Sequence, residues 1–106
     1  MSGHDPYTYV TATIGNGRTR LDVSFHTAKL DVHAFVVGNR RPCLDLSSEE
    51  ALVSITTTGC GQPVTEQDVA LARKIFNAAA RYLADCERLH AAQQTDALTA
   101  LEPDAA

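Results

Sequence analysis

The chain has no tryptophan, a single methionine and only six aromatic residues among 106. A core built on large ring side chains is therefore excluded, although a chain of this length can in principle bury over ~60% of its unfolded surface. The 44% hydrophobic content overstates the available core, because sixteen of those residues are alanine. An excess of positive charge is also missing. Nine Lys and Arg against thirteen Asp and Glu give a net charge of −4, which opposes nonspecific attraction to phosphate backbones and disfavours nucleic acid as a partner. No apolar run approaches the ~18 residues of a bilayer span, and Met1-Ser2-Gly3-His4-Asp5-Pro6 has no leader features, so a soluble, cytoplasmic chain without a membrane role is expected. Cysteine is scarce and odd in number. Cys43, Cys60 and Cys86 are widely spaced without a Cys-x-x-Cys pair, which argues against a disulfide framework or a zinc knuckle.

What is present begins with a period of two from Tyr7 to Thr58, the pattern of half-buried strands. Val10, Ala12 and Ile14 alternate with Tyr9, Thr11 and Thr13; Leu21, Val23 and Phe25 follow; then Leu30, Val32, Ala34 and Val36; then Leu44 with Leu46, and Val53 with Ile55. Asn16-Gly17 supplies the two positive-φ positions of a type I′ hairpin and pairs Ile14 with Thr19, Ala12 with Leu21 and Val10 with Val23. A tight turn at Thr27-Ala28, or a four-residue loop from His26 to Lys29, pairs Phe25 with Leu30 and Val23 with Val32. A three-residue loop, Gly38-Asn39-Arg40, pairs Ala34 with Leu44 and Val32 with Leu46. A loop at Ser47 to Glu50 puts Leu44 opposite Val53, although Ser47 and Glu50 also have capping-box spacing for one helical turn. Because a one-residue slip would turn each apolar set outward, these registers predict a five-stranded antiparallel meander with one apolar face.

At Thr65 the period changes. Thr65 with Asp68 has capping-box spacing, Val64 with Val69 has staple spacing, and Gly59, Gly61 and Pro63 bar an earlier helix. From Glu66 to about Gln94 neither glycine nor proline occurs. The α+β fold so predicted is the meander followed by one long C-terminal helix packed across one sheet face. Residues 7–94 form a single α+β domain, 1–6 a disordered N-terminal tail and 95–106 a frayed C-terminal tail. A helix of ~28 residues is roughly 42 Å long against roughly 26 Å for an eight-residue strand, so its last turns overhang. Leu83, Cys86, Leu89 and His90 on those turns are the expected homodimer interface.

Strands that alternate up and down bring the turns at Asn16-Gly17, Gly38-Asn39-Arg40 and Gly59-Cys60-Gly61 to the end where the helix starts. Arg18, Arg20, Arg40 and Arg41 gather there near a partial positive charge, which is the makeup of an anion site; Arg18, Arg40 and Arg41 are its candidate residues. Surface arginines at turns also occur as plain solvated groups. Cys60 at the same end is a candidate reactive thiol, since arginines and a helix N-terminus both stabilise a thiolate. On the outer face the pairing predicts a row of Thr11, Asp22, His33, Asp45 and Leu52, in which His33 between two carboxylates has the chemistry of a base or a metal ligand, or simply of favourable cross-strand pairing. Lys74, Arg81 and Arg88, interleaved with Asp85 and Glu87, read as a solvated helix face.

The run from Thr57-Thr58-Gly59 through Thr65-Glu66-Gln67-Asp68 to Leu71-Ala72 resembles the strand-to-helix segment of pterin-4a-carbinolamine dehydratases over about a sixth of the chain. That family's His-Asp pair falls on Gly59 and Cys60, and its His-His-Pro is absent, so no dehydratase residue carries over and no family is assigned. The residues favour a small binding or regulatory module, homodimeric, that recognises a protein or an anionic small molecule without catalytic residues, metal or cofactor. The competing readings are a small enzyme using Cys60 or the Asp22/His33/Asp45 row, and a structural subunit of a larger assembly.

Overall fold

A computed structural model describes residues 6–59 and 61–101, with side chains to Leu98. The chain divides into two units, Met1–Val64 and Thr65–Ala106. The first holds five antiparallel strands: β1 (Tyr7–Gly15), β2 (Arg18–His26), β3 (Asp31–Val37), β4 (Arg41–Ser47) and β5 (Leu52–Ile55). The second is one helix, α1 (Glu66–Leu101). The expected tail at 1–6, apart from Pro6, and residues 102–106 of the expected frayed tail lie outside the described residues. The helix itself runs past Gln94 to Leu101.

The strands form two separate sheets, β1-β2 and β3-β4-β5, and this corrects the five-stranded meander. Within the first sheet the expected register holds, with Val10 opposite Val23, Ala12 opposite Leu21 and Ile14 opposite Thr19. Asn16 and Gly17 take φ of 52° and 72°, the left-handed conformation a type I′ turn requires. The β3–β4 register also holds, Ala34 facing Leu44 and Val32 facing Leu46, around Gly38 and Asn39 at φ of 60° and 58°. Arg40 N donates to Val37 O at 3.1 Å and closes this turn.

The missing link is β2 to β3, where Phe25 was expected opposite Leu30 and Val23 opposite Val32. The segment Thr27-Ala28-Lys29-Leu30 contains no glycine or asparagine, so it offers no residue suited to the positive φ of a tight hairpin. Instead Lys29 N donates to Thr27 Oγ1 at 2.9 Å, a local side-chain bond that competes with ladder formation. A smaller correction falls at the next connection. Leu44 faces Ile55 rather than Val53, because the loop spans Ser48 to Ala51 instead of Ser47 to Glu50. Ser48 Oγ accepts from Glu50 N and Ala51 N, and Ser48 N donates to Ala51 O, so this is a side-chain-closed loop rather than a helical turn. The two-residue shift keeps the apolar faces in phase.

α1 starts as its sequence dictates. Asp68 N donates to Thr65 Oγ1 at 3.2 Å, and Asp68 Oδ2 accepts from Thr65 N at 2.8 Å, a reciprocal capping box. Val69 N to Thr65 O at 3.2 Å is the first helical bond.

Packing is where the chain departs furthest from an ordinary domain. Among the described residues only Cys43 (9% exposed) and Thr58 (5%) are buried, and no large side chain is fully enclosed. What core there is lies along β4, the central strand of the three-stranded sheet, where every residue except Pro42 is at least half-buried. On the first sheet Ile14 is 79% exposed, and Val10 and Leu21 are also exposed. Each such side chain forgoes the ~1.5–3 kcal/mol that full burial of a Val, Leu or Ile contributes.

Candidate functional site

Among the described residues of the strand unit, two concavities lie at different turns. At the β3–β4 turn, Arg40 lines a cavity of about 300 Å³ together with Gly61, Gln62 and Pro63. Gly61 at φ of 77° and the bond from Gln62 N to Gly59 O (3.0 Å) fold the glycine loop into a tight turn. Next to Arg40, Arg41 is half-buried, and its Nε is buried with no hydrogen-bond partner among the described residues. A buried donor without a partner carries a desolvation penalty of ~1–3 kcal/mol, which an acceptor placed there would relieve.

The structure thus brings Arg40 beside the glycine loop, with Arg41 following in the chain. Arg18 is positioned by the other hairpin, opposite Gly15. The β2–β3 pairing that was expected to align it with Arg40 and Arg41 is not formed. Arg20 is engaged along its own strand, Nε to Asp22 Oδ1 at 3.1 Å. Cys60 lies outside the described residues.

The second concavity is a cleft of about 450 Å³ at the open end of the β1–β2 hairpin. Tyr7, Lys29 and Asp31 line it together with Ser48, Glu49 and Glu50 of the β4–β5 loop. Beside it Thr8 Oγ1 and Ser48 Oγ share a hydrogen bond of 2.7 Å, and Tyr7 stacks on its cross-strand partner His26 at 4.5 Å. The Thr8–Ser48 bond joins residues forty positions apart, and no local pattern signals it.

The Asp22/His33/Asp45 row does not assemble, because Asp22 and His33 belong to different sheets. Asp22 faces Thr11, while His33 faces Asp45. Asp45 Oδ1 accepts from Ser54 Oγ at 2.7 Å, so Ser54 takes the place expected for Leu52. His33 stacks on Phe35 with centroids 5.3 Å apart. Among the described residues no group of three His, Cys, Asp or Glu side chains has metal-binding geometry. The enzyme reading based on this row loses its geometric basis.

On α1, Arg81 pairs with Asp85 at 3.2 Å and Arg88 with the same carboxylate at 3.4 Å. These are ordinary exposed helix pairs of small energetic weight. The opposite stripe stays open: Tyr82 is 72% exposed, and Phe76, Leu83 and Leu89 are exposed with it. Cys86 on that stripe is an exposed free thiol, whereas Cys43 on β4 is buried. No helix among the described residues is long and apolar enough to cross a membrane. Comparison with protein-family models, curated proteins and solved structures gives no match for this chain.

Proposed function

We propose that this chain is a homodimeric binding or regulatory module that works in the cytoplasm, pairing through α1 and recognising an anionic group with the arginine-bearing turns. The observation that carries the reading is the exposed apolar stripe on α1. Leu83, Cys86, Leu89 and His90 fall within about 120° of the helix circumference at 100° per residue. Phe76, Leu83 and His90 recur every seven residues, as do Ala79 and Cys86, which is the spacing of a helix-pairing seam. An amphipathic helix draws most of its stability from covering such a face. Alanine and cysteine at one set of positions let two backbones approach closely, and the longer side chains flank them. The free thiols of Cys43 and Cys86 suit a reducing compartment.

The ligand half of the reading rests on Arg40 beside its cavity and on the unpartnered Arg41 Nε, with Arg18 kept as a candidate at the turn of the other hairpin. The bound group is a phosphate or carboxylate, carried by a small molecule or by an acidic segment of a protein. Calorimetric titration with inorganic phosphate tests it. Measurable binding that is lost in the Arg40→Ala, Arg41→Ala double variant supports the site; binding that is absent, or unchanged by the two substitutions, removes it.

A further inference from the structure

Strand β3 is the one strand of the five whose every residue is exposed among the described residues. It is also strongly apolar, running Asp31-Val32-His33-Ala34-Phe35-Val36-Val37. One side of it pairs with β4, and no strand among the described residues pairs with the other. Edge strands are ordinarily guarded by lysine, proline, a bulge or a covering segment, because their free N–H and C=O groups template further pairing. β3 has none of the first three, and its only formal charge is at its first residue. The other edges differ. β5 is only four residues long, β2 carries Arg18, Arg20 and Asp22, and β1 is tied at Thr8 to Ser48.

We infer that β3 is a self-pairing edge: β3 of one chain adds antiparallel to β3 of a second copy, centred on Ala34, to form a continuous six-stranded sheet across the dimer. This rests on the homodimer reading and gives the same two copies a second contact. Three features select the arrangement. Centring on Ala34 uses all seven residues and puts Val32 opposite Val36 of the second copy, His33 opposite Phe35, and the small Ala34 opposite itself. A shift by one residue would set the Val32-Ala34-Val36 face against the His33-Phe35 face, which register rules forbid. A shift by two would leave four of the fourteen strand residues in the two copies unpaired.

The third feature is charge. Asp31 begins β3, while Arg41 is the cross-strand partner of Val37 at the other end. Asp31 forms no ion pair among the described residues. Antiparallel self-pairing brings the Asp31 end of each copy to the Arg41 end of the other. The strand ends carrying Asp31 are then separated by six residue steps, roughly 20 Å. A parallel seam would instead stack Asp31 on Asp31. Opposite charges at the two ends contribute orientation more than affinity; the backbone bonds and the valine pairs supply the attraction.

The test is register-specific crosslinking in the full chain. Directly opposed Cα atoms in an antiparallel pair lie about 4.5–5.5 Å apart, within disulfide range. Ala34→Cys should therefore form a dimer linked through position 34 under mild oxidation, identified by mass spectrometry of the linked peptide to separate it from Cys43, Cys60 and Cys86. It should form about tenfold faster than a link through Val36→Cys, because only position 34 faces its own copy at high effective concentration. Equal rates at both positions, or no link at 34, overturn the strand seam. Amide exchange of the unmodified chain guards against a misfolded variant: slow exchange at both inward- and outward-facing amides of residues 31–37 supports the seam, and fast exchange at every second amide overturns it. The mass of the unmodified chain separates the two proposals. A dimer without the position-34 link leaves the homodimer standing and removes only the strand seam; a monomer removes both; a tetramer or longer assembly contradicts a seam made by the same two copies.

Discussion

β3 and β4 are paired residue for residue over seven positions, yet one is wholly exposed and the other is the most enclosed strand among the described residues. Composition does not explain the difference. β3 offers three valines, an alanine and a phenylalanine, while β4 carries Arg41, Pro42, Asp45 and Ser47. Position explains it: β4 has a strand on each side, and β3 has one. Burial in a sheet depends on neighbours as much as on side-chain character, and the proposed β3 seam would supply the neighbour this edge lacks.

Substitutions in the paired strands sharpen the contrast. The largest loss is expected for Cys43→Asp, which places a carboxylate in the most enclosed side-chain position of β4 and should lower stability by about 3 kcal/mol in urea unfolding. If the variant unfolds with the unaltered midpoint, β4 is no core. Next come the partners Leu46 and Val32, which face each other across the ladder. Leu46→Ala should lower the stability of the strand unit by about 1–2 kcal/mol, whereas Val32→Ala should change it by less than about 0.5 kcal/mol in dilute solution. The Val32→Ala effect should grow with protein concentration as copies associate, and equal effects at both positions would erase the distinction. The smallest effect belongs to the second unit. Thr65→Ala removes the reciprocal bonds with Asp68 and should reduce helix stability by about 1 kcal/mol, read as earlier loss of helical circular dichroism on heating.

Much of this was legible from residues acting locally. Asn16-Gly17 and Gly38-Asn39-Arg40 specify their own turns, and through them two strand registers. Thr65 and Asp68 specify where the helix begins. At the β2–β3 junction, matching apolar faces do not suffice for pairing. The Thr27 hydroxyl and the absence of a positive-φ residue between His26 and Asp31 decided otherwise. The Asp22/His33/Asp45 row and the alignment of Arg18 with Arg40 and Arg41 both depend on that absent pairing. The cleft at Tyr7 and Ser48 depends on a contact between distant segments, which periodicity does not encode.

The central claim is that a second copy covers the apolar surfaces this chain leaves open. Light scattering coupled to size-exclusion chromatography on the unmodified full chain tests it most directly. The prediction is twice the 11.4 kDa chain mass, falling toward the single-chain value when Leu83→Asp is introduced. A mass of one chain at every concentration up to the millimolar range, with cooperative unfolding intact, would contradict it.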